Sequence, residues 1–385
     1  MESSVVIRSE RIHVDEHEVD YTEVMGKKVE CIDECGLCCL CQPEVLPNER
    51  AFFEKSYPKF LVRSKPPESY CALALKKGKG SCVFLENRRC KVYDHRTTYC
   101  RQFPYHVYVG DRVRVELDLS CRGAWTGKGA DAYDEARDIV AKADARIEQA
   151  KVEAAEVYEE FYANCKEAGI MGNVEAIRKS VLENLVKFTD LKYLSKVMEL
   201  SMMEPKMTLS AIKDGPVDTE GIEEAAMFAA MESMATDDAL MAPIYCDEKW
   251  RWNVFLADEA SNRIDWMILD DDGDLMKEAS ARISGIEFKV PDKEGAEVLR
   301  EYISILNGRD SFLGSVFALM DSTGYEDDMA NAYYGCLSTA ILDVMWRASM
   351  LDHFMGTGMG ARGIREAIIF YDMDRLDAPA IGAFV

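Results

Sequence analysis

At 385 residues with 48% hydrophobic content, the chain is long enough for two or three domains that each bury a core. It offers no apolar run near the roughly 18 residues that span a bilayer, since even residues 340–355 are broken by Asp343, Arg347, Asp352 and His353, and membrane insertion is not expected. The net charge of −23 sits in the second part of the chain: residues 1–125 carry 20 Lys+Arg against 19 Asp+Glu, whereas residues 126–385 carry 26 against 50. A field of that sign repels phosphate backbones, which argues against a nucleic-acid partner and leaves a protein partner as the expectation.

In chain order, residues 5–7 and 12–14 read as β-prone edge strands or an extended arm. Residues 1–8 have neither the basic segment nor the apolar run of a signal peptide, so a cytoplasmic location with reduced thiols is expected. Pro47 opens a helix start over residues 47–53, and residues 58–69, with Pro66 and Pro67, read as loop. Residues 105–109 and 113–117 alternate around Gly110-Asp111, a β-hairpin signal that leads into Cys121.

Trp125-Thr126-Gly127-Lys128-Gly129 punctuates the chain, and beyond it Ala, Glu, Lys and Asp recur at helical spacing. Residues 130–168 lack Pro and Gly and carry Ile139, Ala143, Ile147, Val152, Val157 and Phe161 at helical intervals, which predicts one long amphipathic helix. Residues 173–203 and 219–236 continue the pattern toward a bundle-like block. Residues 250–256 and 264–269 read as strands, with Asp272-Gly273 as a turn, and helices resume over 294–306, 311–320, 325–354 and 364–373. The expected class is α+β: a small cysteine-rich metal-binding domain with a β-hairpin over residues 1–127, then a mostly α-helical acidic domain over 128–385 with a small antiparallel sheet inserted at about 248–290.

Ten of the thirteen cysteines fall within residues 31–121, five of them as Cys31, Cys35, Cys38, Cys39 and Cys41. In a reducing compartment such a cluster points to metal ligation or redox chemistry rather than structural disulfides. Thiolates suit zinc and iron–sulfur clusters, each drawing on about four converging ligands at about 2.3 Å. Cys35-x-x-Cys38 has the chelating spacer, and Gly36 permits the turn that lets backbone amides point toward sulfur. Cys38 and Cys39, being adjacent, are expected to project differently and to serve separate sites, or one as ligand and the other as a core or redox thiol.

The second group, Cys82, Cys90 and Cys100, lies in a string that holds Phe84, Leu85, Tyr93, Arg96, Arg101, Phe103 and Pro104. With Cys31, Cys35, Gly36, Cys38 and Cys39 before it and Cys121 after it, this string resembles the YkgJ-type cysteine-cluster family, described as a zinc- or iron-chelating domain. Thr97 stands where that family usually has Pro, and Cys41 and Cys71 are additional. The resemblance covers about residues 31–122 and implies Cys31, Cys35, Cys38, Cys39, Cys82, Cys90, Cys100 and Cys121 as metal ligands, enough for two four-thiolate sites or one cluster plus other thiols. Arg96 and Arg101 would supply positive charge to a bound anionic cluster. One C-x-x-C knuckle with scattered partners tilts the expected cofactor toward an iron–sulfur cluster, one or two 4Fe–4S, over zinc.

Other features read as structural. The glycine-rich stretch 356–363 follows a helix rather than a strand and lacks the context of a dinucleotide site. Asp270-Asp271-Asp272-Gly273-Asp274 lacks the register of a calcium loop and reads as a solvated hairpin turn. Cys165, Cys246 and Cys336 read as small core hydrophobes, and His95 and His106 flank the motif as candidate supporting donors. The function expected is an iron–sulfur protein in electron transfer or metalloenzyme maturation. The rivals are a cluster-containing protein lysine methylase, since flagellin lysine methylases look similar in pairing a related cluster with a helical region, and a structural zinc module; no S-adenosylmethionine-binding motif is visible.

Overall fold

In the computed structural model, which describes residues 13–14, 17–64, 70–213, 218–236, 241–375 and 378–385, the alternating residues 105–117 form the central hairpin of a five-stranded sheet. Strand β8 (Tyr105–Val109) pairs with β9 (Val113–Leu117), Tyr105 opposite Leu117 and Val109 opposite Val113. On one side β2 (His17–Asp20) runs parallel to β9 and carries β1 (His13–Val14) at the edge; on the other, β15 (Ala383–Phe384) pairs with β8. Both ends of the chain thus contribute to one sheet. The strand expected over residues 5–7 lies outside the described residues.

Three short ladders surround the cysteine motifs: β3 (Lys28–Val29) with β10 (Ala130–Asp131), β4 (Leu61–Arg63) with β5 (Cys71–Leu73), and β6 (Leu85–Glu86) with β7 (Arg89–Cys90). Residues 61–63, expected as loop, are a strand because Cys71–Leu73 offers them a hydrogen-bonding partner. Two short helices, α1 (Arg50–Ser56) and α2 (Thr98–Gln102), complete this part.

The long helix is α3 (Ala132–Ala168). Asp131 accepts the amide protons of Tyr133 and Asp134 at its start, and Gly169 ends it in the left-handed conformation. Its buried stripe runs through Ala136, Val140, Ala143, Ile147, Ala154, Tyr158 and Phe161 and packs on β8, so the small alanines rather than Val152 and Val157, which are exposed, set the face. The helical pattern over 173–203 divides into α4 (Val174–Glu183) and α5 (Leu191–Met203), because Asp190 caps a new helix.

Beyond α6 (Thr219–Met231), the inserted sheet has four antiparallel strands in sequence order, β11 (Ile244–Cys246), β12 (Trp252–Asp258), β13 (Arg263–Leu269) and β14 (Leu275–Arg282). Helices α7 (Lys293–Gly308), α8 (Asp310–Ser322), α9 (Met329–Met355) and α10 (Ala361–Asp374) follow, with α9 buried among α5, α6, α8 and α10. Among the described residues, no helix is long and apolar enough to cross a membrane.

One hydrophobic core runs from the β8–β9 hairpin through α3 to α9 and α10, across residue 127. A buried ion network ties the same parts. The guanidinium of Arg309, between α7 and α8, bonds to Glu23 at 2.9 Å, to Asp372 of α10 at 2.7 Å and to the Leu117 carbonyl at 2.7 Å. Asp372 also accepts the Leu119 amide at 2.6 Å, which fixes the segment leading into Cys121.

Candidate metal centre

Residues 31–41 turn tightly because Glu34 and Gly36 take positive φ, 73° and 63°. A single 3-10 turn over Leu37–Cys39 follows, with the Cys39 amide donating to the Gly36 carbonyl at 3.0 Å. A Cβ on Gly36 would lie 3.1 Å from the Trp252 ring, so this position requires glycine on both counts. The two cysteine groups are joined by backbone: the Cys82 amide donates to the Cys39 carbonyl at 2.7 Å.

Asn87 and Arg88, both at positive φ, form the two-residue turn between β6 and β7 that returns Cys90 toward Cys82. Thr97 replaces the family's usual proline with a helix cap, its hydroxyl accepting the Cys100 amide at 3.4 Å, and so orders α2, which carries Cys100 and Arg101. Cys121 is placed by Asp372 and by Gly123, where a Cβ would sit 1.8 Å from the Glu30 carbonyl oxygen.

All eight expected cysteines, Cys31, Cys35, Cys38, Cys39, Cys82, Cys90, Cys100 and Cys121, line one cavity of about 410 Å3. Cys41 joins them; Cys71 does not, and packs instead with Phe53 and Phe84. Cys38 and Cys39 line the same cavity and hydrogen-bond to each other, because the 3-10 turn brings both side chains round to one wall. Arg96 and Arg101 also line it, Arg96 stacked 3.8 Å over the Tyr93 ring and Arg101 paired with Glu49 at 3.0 Å. His95 lies against Phe52 and His106 against Asp118; neither lines the cavity. Among the described residues, no three Cys, His, Asp or Glu side chains are drawn together as a finished metal shell.

The thiols divide by environment. Burial pushes Cys82, Cys90 and Cys121 up, takes Cys100 to about 12, and raises Cys31, with Arg96 opposing it. Cys35 is brought down to about 7, chiefly by a hydrogen bond from the Cys246 thiol, with Arg122 and Arg88 adding positive charge. Cys38 is lowered first by its bond with Cys39, which is raised by the same bond. The C-x-x-C pair therefore holds the two most readily ionised of the eight motif thiols.

The inserted sheet closes against this loop. Trp252 donates its indole N–H to the Cys35 carbonyl at 2.9 Å, and the Arg88 guanidinium lies 3.4 Å over the same indole. Arg122, next to Cys121, donates to the Cys246 carbonyl at 2.6 Å and to Glu366 of α10 at 3.0 Å. The acidic turn 270–274 does more than face solvent: Asp271 accepts the Ser81 amide at 2.9 Å and pairs with Lys76, and Asp274 pairs with Lys79 at 2.6 Å. The glycine-rich stretch 356–363 forms the turn from α9 and the first residues of α10, with the Gly358 amide bonded to Asp352. Cys246 is buried, as expected of a core thiol, but its Sγ lies 3.9 Å from that of Cys35. Their separation of 211 positions in the chain hid this contact, and no local spacing could have signalled it.

Residues 30–122 match the family model CxxCxxCC, described as "Putative zinc- or iron-chelating domain". This segment is a CxxCxxCC domain. It spans about a quarter of the chain and contains every cysteine of the cavity. No curated protein and no solved structure matches the chain. That description supports metal binding, and the donor set fits a metal: nine soft thiols around a single cavity, two of them with depressed pKa.

Proposed function

We propose that the cavity takes up an iron–sulfur cluster and that the protein works through it, in electron transfer or as an accessory factor in maturing a metalloenzyme. The observation that carries this is the donor set of one cavity: nine cysteines line it, a pool deep enough for one or two four-thiolate cubanes, and the chain lacks the two separate C-x-x-C knuckles that structural zinc commonly pairs. Cys31, Cys35, Cys38, Cys39, Cys82, Cys90, Cys100 and Cys121 are the ligand pool, with Cys41 at its rim. A bound cluster supplies one-electron redox chemistry.

The chain's own residues prepare the site. Cys35 and Cys38, the most readily ionised pair, take metal first. Arg96 beside Cys31, Cys38 and Cys90 offsets the negative charge that thiolates bring, which favours the reduced state of a bound centre. The acidic helical part, net −24 over residues 126–385, presents a surface for a partner with a basic docking face.

Electron paramagnetic resonance on anaerobically purified protein, before and after dithionite, tests the reading. A reversible one-electron signal that stays with the chain supports electron transfer, and transfer of the cluster to an apo-ferredoxin supports maturation. A chain that shows neither overturns the proposal.

A further inference from the structure

We infer that Cys246, which lies outside the CxxCxxCC domain, is a thiolate ligand of the same centre, so that the metal site is completed by the inserted sheet. The inference rests on the metal-binding reading above. Its geometric basis is the 3.9 Å between the sulfurs of Cys35 and Cys246. Four sulfurs held about 2.3 Å from a tetrahedral metal stand about 3.8 Å apart along each edge. The two thiols therefore have the separation that joint ligation needs, although they stand 211 positions apart in the chain.

The pair is held from both sides. Cys246 ends β11 directly opposite Trp252 on β12, and Trp252 is the residue whose indole N–H donates to the Cys35 carbonyl. Arg122 fixes the Cys246 carbonyl at 2.6 Å and is itself anchored on Glu366. As its backbone follows Cys121, one side chain ties the last cysteine of the motif to β11. Cys246 belongs to an apolar cluster with Leu37, Leu85, Trp252 and Val254, and its sulfur lies 3.9 Å from Cys35 Sγ and 3.9 Å from the Asp247 carbonyl, with the Arg122 charge close by. A buried thiol so placed can share one metal atom with Cys35. Ligation forms a sulfur–metal bond and releases the thiol proton to solvent. Cys165 differs, since it sits in the apolar core along α3.

The test uses the unaltered full-length chain loaded with cadmium-113 and labelled at cysteine Cβ, read by cadmium–proton correlation. Couplings to the Cβ protons of both Cys35 and Cys246 are expected. Couplings to Cys35 or other cysteines of residues 31–121 without Cys246 would overturn this inference and leave the metal-binding reading standing; no coupling to any cysteine would overturn both. A second measurement titrates cobalt(II) into C246S, with C165S as control. The expected result is a dissociation constant raised at least about 10-fold for C246S, the low end of what loss even of an outer-sphere partner costs, with a weaker thiolate-to-cobalt band. Affinity and band equal to those of the parent chain would overturn the assignment.

Discussion

The indole N–H of Trp252 donates to the carbonyl of Cys35 at 2.9 Å, joining the inserted sheet to the first cysteine loop across 217 residues of sequence. The CxxCxxCC domain is thus braced by chain that its own motif does not include. Replacing Trp252 by Phe keeps most of the packing but leaves that carbonyl with the longer 3.4 Å bond from Arg88 and weakens the platform for Arg88. The expected cost is about 1 kcal/mol in urea denaturation, with lower metal content per chain. An unchanged midpoint and metal content would show that the brace is dispensable.

Gly36→Ala places a side chain at φ 63° and a Cβ 3.1 Å from the Trp252 ring. The left-handed conformation alone costs about 1–2 kcal/mol, and the contact adds to it by pushing the loop off the sheet. The variant should therefore lose metal affinity more than it loses secondary structure. Circular dichroism beside a zinc competition titration separates the two, and equal affinity would contradict the role given to this turn.

Arg309 is the buried cation of the network that holds the segment before Cys121. Arg309→Leu leaves Glu23 and Asp372 buried without the guanidinium that bonds them both, although Lys27 stays near, at a cost of about 3–5 kcal/mol. The pH dependence carries a sign. Burial alone would raise the Asp372 carboxyl, but the Arg309 charge and hydrogen bond bring it below 3.8. The unfolded chain therefore takes up this proton at higher pH than the folded one, and the stabilisation is present above about pH 4 and lost as pH falls through the folded value. In R309L the shift reverses, so the stability gap between the two proteins should be larger at pH 7 than near pH 4. A gap that does not narrow in acid would contradict this.

Metal uptake should also depend on pH. Cys35 lies near 7 and Cys38 is lowered, whereas burial holds Cys100 near 12 and raises Cys82, Cys90 and Cys121. A four-thiolate site that includes the low pair still displaces two protons from raised thiols. Zinc affinity should then rise at least about 100-fold per pH unit above pH 7.5. Chelator competition at pH 7.5 and 8.5 measures this, and a pH-independent constant would rule out ligation by the raised thiols.

Local pattern was enough for much of the molecule. The hairpin over 105–117 follows from alternation with Gly110-Asp111 at its turn, and α3 follows from its 37-residue helical run. The face of α3 was misread because Val152 and Val157 outrank alanine in hydrophobicity, yet the close approach of β8 selects Ala136, Ala143 and Ala154. At the site, the eight motif cysteines come together on one cavity. Cys41 was not expected there because its spacing falls outside the motif, and whether its side chain reaches the wall depends on how the 3-10 turn over Leu37–Cys39 ends. The place of Cys246 depends on long-range docking of β11, which no periodicity encodes.

The central claim, that nine cysteines on one cavity serve an iron–sulfur cluster, is tested most directly by iron and acid-labile sulfide content with a visible spectrum on anaerobically purified protein. Iron and sulfide in near-equal amounts, about four or eight of each per chain for one or two cubanes, with a broad absorption band, is the predicted result. Zinc alone, without sulfide or colour, would contradict it.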